Sequence, residues 1–169
     1  TTSVGVMAAV ELGIPRVRFA KAMDYLRANA KTFEEVRIAA GAVEAWGVKD
    51  CPFEVGPWAA AATRELWTQD PPAADARPRV AGSYLALKAR LGLARDERRT
   101  WFNDPQVLLA GQRLDGGWGK GWETEADRSD PETTYRVMRA LYLLRLKPKD
   151  SAMDFVASLH PTTVAEVYY

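Results

Sequence analysis

The hydrophobic positions of this chain recur at the three- and four-residue spacing of amphipathic helices. In residues 16–30, the side chains of Phe19, Met23, Leu26 and Ala30 fall on one helical face, and charged residues occupy the other. A helix with this pattern buries one face and leaves the other in water. Runs of β-branched residues with the two-residue period of strands are absent from the sequence. The pattern therefore predicts an all-α protein.

A second kind of segment is apolar nearly all round. Residues 134–146 are interrupted only by Arg136, Arg139 and Arg145. A helix of this kind is typically covered on both sides. The alternation of half-exposed and covered helices predicts helical hairpins arranged in two concentric layers.

Clusters of glycine and proline divide the chain into helix-length segments. The clusters lie at 13–15, 47–57, 70–78 and 115–131. The segments predicted as helices are 2–13, 16–30, 33–46, 57–68, 79–92, 96–112, 132–146, 150–159 and 163–169. We interpret residues 1–169 as one domain of about four hairpins. Because the chain opens without an initiator methionine, we also interpret it as a candidate fragment of a longer protein.

An internal repeat supports the hairpin interpretation. Residues 1–15, TTSVGVMAAVELGIP, are similar to residues 133–148, TTYRVMRALYLLRLKP. Each is followed by a matching helix, AMDYL and AMDFV, which predicts that Met23 and Met153 occupy equivalent core positions.

A third pair of elements extends the repeat. TFEEV, from Thr32, and TVAEV, from Thr163, both have the Thr-x-x-Glu spacing of a capping box. In that motif the threonine side chain accepts from the third amide, and the glutamate reaches back to the cap amide. We therefore predict that Glu35 and Glu166 perform this role.

One stretch, VLLAGQRLDGGWG at 107–119, combines a glutamine, a glycine turn and a tryptophan. Gln112 follows a half-exposed helix, where its amide can satisfy backbone groups without helical partners. Gly116 and Gly117 permit a tight reversal. Trp118 can then lie against the Gln112 amide or a neighbouring hairpin. We interpret these residues as a structural link between hairpins.

At these residues, with Leu108 and Leu109, the chain resembles the Gln-Trp motif of squalene–hopene cyclases and related triterpene cyclases. The glycine-aromatic turn is also similar to that of protein prenyltransferase β-subunits. The resemblance to this prenyltransferase and squalene oxidase repeat superfamily implies an α/α toroid. A full ring there holds more hairpins than are predicted here, so the chain is expected to form a toroid or a toroid segment.

The loop after the tryptophan is acidic. Asp127-x-x-Asp130 could supply two carboxylates to Mg²⁺ or Ca²⁺, ions that require several converging oxygen ligands. Alternatively, Ser129 or Asp130 caps the helix that begins near Pro131, with Glu132 in its first turn. The first interpretation places Asp127 and Asp130 among the candidate ligand-binding residues.

Arg136 and Arg139 complete that candidate set. They lie three positions apart, on one face of a helix predicted to be covered. A buried arginine needs a partner, which here is either an acid such as Asp130 or the phosphate of a ligand.

The resemblance also implies sites that this sequence does not reproduce. The Asp-x-Asp-Asp run of the cyclases and the Asp-Asp-x-x-Asp run of class I synthases are absent. Prenyltransferase β-subunits bind zinc through an aspartate, a cysteine two positions later and a distant histidine. Here Asp50 and Cys51 are adjacent and His160 is the single histidine. The order is right but the spacing is wrong, so we predict no bound metal, with these three residues as the candidates if one is bound.

Both zinc candidates also have ordinary structural roles. A cysteine such as Cys51 is commonly a small hydrophobe at a helix end. A histidine such as His160 suits a helix C-terminus, where it faces the negative end of the helix dipole. No residue is therefore assigned a catalytic role.

The composition limits the classes of partner that this chain is expected to bind. A formal net charge of +1 gives no electrostatic case for binding nucleic acid or an anionic membrane. No apolar run approaches the length of a membrane-spanning helix. Two functions remain open. One is a toroid without its own catalysis or cofactor that binds an isoprenoid ligand, a peptide or a protein. The other is an isoprenoid enzyme, similar to a terpene cyclase or a prenyltransferase, that acts in a central cavity.

Overall fold

The structure is a computed structural model that describes residues 1–64, 66, 77–94, 100–119 and 128–160. These residues form eight α-helices and contain no strand, which confirms the predicted all-α class for this part of the chain. The helices are α1 (Thr2–Glu11), α2 (Ala20–Asn29), α3 (Phe33–Trp46), α4 (Val55–Thr63), α5 (Arg77–Arg90), α6 (Pro105–Ala110), α7 (Pro131–Leu143) and α8 (Ser151–Ala157).

The chain divides into two compact units. Unit 1 comprises Thr1–Asp70 and Arg90–Ala94, and unit 2 comprises Pro71–Ala89 and Arg95–Tyr169. Unit 1 contains α1 to α4, and unit 2 contains α6 to α8 and nearly all of α5.

In unit 1, α3 is the covered helix. Its residues Val36, Ala40 and Val43 are fully buried, and α1 packs chiefly against it. By contrast, α2 buries only Met23 and Leu26. The prediction of a helix with one face in water is therefore confirmed for α2.

In unit 2, α7 and α5 approach closely. A side chain at Gly82 of α5 would come within 3.0 Å of the α7 backbone at Arg136 and Val137. The opposite face of α7 is open, since Tyr135 and Tyr142 are exposed. The prediction that this segment is covered on both sides was wrong. Tyrosine counts as apolar in the pattern, but its hydroxyl allows the ring to lie at the surface.

Two predicted helices begin much later in the structure than in the prediction. The segment 16–30 is broken by a 3₁₀ turn at Arg16–Arg18, and α2 begins only at Ala20. The segment 96–112 contains α6 at its C-terminal end, while residues 101–103 form a turn. Proline lacks a donor and disfavours helical backbone before it, so α6 begins at Pro105 with Asp104 as its cap.

The sequence predicts that the two copies of the repeat align at their methionines, but their burial patterns are offset by one residue. Met23 is fully buried, whereas Met153 is 65% exposed, so their predicted equivalence was wrong. The residues that α8 buries are Ala152 and Phe155, which have the same three-residue spacing as Met23 and Leu26. The burial pattern thus matches after a shift of one residue, which turns a different side chain towards the core.

The capping box of α3 has the predicted hydrogen bonds. Glu35 N donates to Thr32 Oγ1 at 3.3 Å, and Thr32 N donates to Glu35 Oε2 at 3.0 Å. The hydrogen bonds that the Glu35 carboxylate accepts from Thr32 N and Lys31 N lower the pKa of this carboxyl. The corresponding Thr163 and Glu166 lie outside the described residues.

Candidate functional site

The Gln112 amide joins two backbone segments. Its Nε2 donates to the carbonyl oxygens of Gly116, at 2.8 Å, and Lys149, at 3.3 Å. Its Oε1 accepts from Lys149 N at 2.7 Å. Lys149 lies just before α8. Because the amide is buried, it both closes the turn after α6 and holds the approach to α8.

Trp118 joins α6 and α7. Its side chain is fully buried, and its Nε1 donates to the Leu108 carbonyl of α6 at 2.7 Å. The hydroxyl of Thr134 on α7 accepts from Trp118 N at 2.9 Å and donates to Trp118 O at 3.1 Å. The indole and the peptide of one residue therefore contact two different helices.

The glycine turn sits directly against α8. Gly116 has a φ of +92°, and a side chain there would collide with the Ser151 backbone. At Gly117, a Cβ would lie 2.6 Å from that of Ser129 and 2.9 Å from the Phe155 ring. Both positions thus lack room for a side chain, and Gly116 also adopts a backbone conformation that favours glycine.

Asp115 is a turn residue that the sequence interpretation did not single out. Its Oδ1 accepts from Gly117 N at 3.1 Å and from Ser129 Oγ at 2.6 Å, and its Oδ2 accepts from Ser129 N at 3.2 Å. Partial burial raises the pKa of this carboxyl, but these hydrogen bonds and the nearby Arg113 charge outweigh it, so the net pKa is lowered. An Asp-Gly-Gly turn was the signal that could have identified it.

Asp130 caps α7. Its Oδ1 accepts from Thr133 N at 2.8 Å, which is the capping alternative raised by the sequence. Its Oδ2 is buried and receives no hydrogen bond from the described residues. Asp127 lies outside those residues.

The two candidate arginines make different contacts. Arg136 donates to Glu132 Oε1 at 2.5 Å and to Ser83 Oγ of α5 at 3.0 Å. Glu132, rather than the suggested Asp130, is thus an acid partner of Arg136. The Arg139 guanidinium lies 6.0 Å from the ring centre of Tyr142, a cation–π contact.

The zinc candidates lie in different surroundings. Asp50 pairs with Arg16 at 2.9 Å on the surface of unit 1. Partial burial raises the pKa of the neighbouring Cys51 thiol, which opposes formation of the thiolate that binds zinc. His160 is exposed in unit 2. Within the described ranges, no three His, Cys, Asp or Glu residues are grouped so that they could hold a metal ion.

A groove in unit 2 lies beside the segment that Gln112 holds. It has a volume of about 750 Å³, and most of its lining is apolar. Residues that line it include Met138, Tyr142, Arg145, Lys149 and Met153. The sequence pattern missed this groove, although Tyr142 is 74% exposed and Met153 65%. We call it the α7–α8 groove.

A second, smaller groove of about 490 Å³ belongs to unit 1. Its lining includes Phe53 and Trp58, whose rings meet edge to face, and the basic residues Arg27 and Lys31. The Trp58 indole N–H is already donated to the Ala30 carbonyl at 3.1 Å.

Comparison with protein-family models, curated proteins and solved structures found no match. Where the structure describes helices, none is both long enough and apolar enough to cross a membrane. Chemically, the described residues of unit 2 offer an apolar surface with cationic groups at its edge. That arrangement is suited to binding a ligand that has an apolar part.

Proposed function

We propose that this chain is a segment of an α/α toroid, related to the prenyltransferase and squalene-cyclase repeat proteins, that binds an apolar ligand and has no catalysis of its own. The ligand would lie in or beside the central cavity of the ring to which the segment contributes. The isoprenoid-enzyme alternative requires a catalytic motif, and the motifs of both cyclases and prenyltransferases are missing from the sequence.

The observation that carries the proposal is the turn around Gln112 and Trp118. Its hydrogen bonds connect α6 and α7 to the segment before α8, which supports a role as a link between hairpins. Lys149, which Gln112 binds through its backbone, also lines the α7–α8 groove. The link therefore supports one wall of an apolar surface, where burial of a ligand contributes about 25 cal/mol per Å² of apolar area.

The proposal is tested by titrating farnesol, a neutral isoprenoid, into protein with ¹³C-labelled methionine methyl groups. The chain has four methionines, and Met138 and Met153 line the groove. We expect their signals to shift and saturate. Tyr142→Ala should weaken binding, whereas Tyr25→Ala, which removes another exposed tyrosine on α2, should not.

Turnover is assayed in parallel, with squalene and with farnesyl diphosphate plus a cysteine-containing peptide, and zinc is measured in the purified protein. We expect no product and no stoichiometric zinc. A cyclised or prenylated product would establish the enzyme alternative. Unchanged methyl signals at every farnesol concentration would reject the binding proposal.

A further inference from the structure

The C-terminus of α7 has a backbone conformation that is unusual for the residue it contains. Leu146 N donates to Leu141 O at 2.9 Å and Arg145 N to Tyr142 O at 3.0 Å, the two bonds of a Schellman motif. Arg145 has a φ of +57° and is the one non-glycine residue with positive φ in the described ranges. Glycine is the residue usually found at this position of the motif.

The end of α1 provides an internal comparison. Ile14 N donates to Ala9 O at 2.9 Å and Gly13 N to Val10 O at 3.0 Å, which is the same motif. Gly13 occupies the position of Arg145, with a φ of +67°. The same helix ending is therefore built with glycine at α1 and with arginine at α7. An L side chain in this conformation is destabilising, so the arginine is not explained by the helix ending itself.

Arg145 lines the α7–α8 groove together with Lys149. A third cationic residue of the lining, Lys147, is paired at 2.9 Å with Asp150, the acidic residue of the same lining. Within the described part of the chain, neither Arg145 nor Lys149 forms an ion pair. The groove thus combines an apolar surface with two cationic side chains that have no acidic partner there.

We propose that the α7–α8 groove binds a long-chain carboxylate, with the alkyl chain on the apolar lining and the carboxylate on the Arg145 guanidinium. This inference rests on the proposed ligand-binding function and names its ligand class. Arginine matches a carboxylate with two parallel hydrogen bonds, and Lys149 adds a second positive charge. A volume of about 750 Å³ is in the range of small-molecule sites.

The charge of the site favours a single carboxylate over a diphosphate. Enzymes that bind diphosphates commonly do so with Mg²⁺ held by carboxylates. In the residues that the structure describes, no group of acids is placed to hold such an ion. Arg145 and Lys149 can instead pair directly with a single carboxylate.

The test compares dodecanoate with dodecanol, which share a chain and differ in charge, by the methionine methyl signals described above. We expect both to shift Met138 and Met153, and dodecanoate to bind at least about tenfold more tightly, since a charge-assisted hydrogen bond supplies the difference. In Arg145→Gly that preference should be lost, while Tm rises by about 2–4 °C because the backbone strain is relieved.

Gly13→Arg is the matched control, because it places arginine in the same motif at α1, where nothing lies within 4 Å of the added Cβ. It should lower Tm and leave dodecanoate binding unchanged. Equal binding of the two ligands, or an unchanged preference in Arg145→Gly, would overturn the carboxylate site but leave apolar binding intact. A lower Tm in Arg145→Gly would assign Arg145 a stabilising role in the helix ending, and would also overturn the carboxylate site. Tighter binding of farnesyl diphosphate than of dodecanoate would replace the carboxylate with a diphosphate.

Discussion

Trp118 has a fully buried indole ring, and both its side chain and its backbone form hydrogen bonds. A tryptophan side chain buries a large apolar area, and its N–H needs an acceptor once it is removed from water. The Leu108 carbonyl provides that acceptor. Packing and hydrogen bonding therefore depend on the same side chain.

We expect Trp118→Ala to destabilise the protein by about 3–5 kcal/mol, as other large aromatic truncations in protein cores do. Chemical denaturation measures the change in the free energy of unfolding. Leu114→Ala is the control, because Leu114 belongs to the same turn and is 90% exposed. It should change stability by less than about 0.5 kcal/mol. Equal effects of the two substitutions would show that the indole does not stabilise the fold.

The Asp115 carboxyl makes the stability of the turn depend on pH. Its pKa is lowered in the folded protein from an ordinary value of 3.8. A carboxyl with a lowered pKa contributes stability that is fully present above the unfolded pKa and is lost as pH falls through the folded pKa. We expect Asp115→Asn to lower Tm at neutral pH, and the difference from wild type to shrink below about pH 4.

Asp154→Asn is the matched control, because Asp154 is an exposed acid on α8 of the same unit. Its Tm should stay close to that of wild type at neutral pH. If Asp115→Asn and wild type have the same Tm at neutral pH, the hydrogen bonds from Ser129 and Gly117 do not stabilise the charged carboxylate.

At the scale of elements, the turn after α6 depends on the absence of a side chain at Gly116. Gly116 touches the backbone of Ser151 at the start of α8, and any side chain would separate the turn from that helix. Gln112 bonds the backbone just before the same helix. The position of α8 relative to the turn thus rests on a missing Cβ and on one amide side chain.

We expect Gly116→Ala to cost more than about 3 kcal/mol, since strain and overlap with a backbone add together. Gly13→Ala tests strain alone, because Gly13 has positive φ but open space around it. It should cost about 1 kcal/mol. Both values come from urea denaturation. Similar values for the two variants would mean that the turn can move away from α8 at little cost.

For the whole molecule, the division into two units predicts where a core mutation acts. Each unit buries its own apolar residues, for example Val36 and Val43 in unit 1 and Val137 and Leu141 in unit 2. Amides in one cooperative unit tend to lose protection together. We expect Trp118→Ala to speed hydrogen exchange in α6, α7 and α8, with a much smaller change in α3. A uniform loss of protection in α3 and α7 would mean that the two units unfold as one.

Several features could be predicted from the sequence because they depend on neighbours within about four residues. Helical spacing determined the all-α class, and Thr32 with Glu35 specified a capping box. The residues of the Gln112–Trp118 stretch were recognisable as a unit because the turn itself is local. Toroid architecture, ligand and function remain predictions.

Other features depended on which distant segments meet. Whether a tyrosine of α7 faces a neighbour or water depends on the elements around it. The pattern therefore predicted that Tyr135 and Tyr142 are covered, whereas both are exposed. The one-residue shift that buries Phe155 instead of Met153 follows from how α8 meets the turn at Gly117. The acid partner of Arg136 and the α7–α8 groove likewise come from contacts that no local pattern contains. Local spacing decides which residues can share a helical face, but only tertiary packing decides what that face touches.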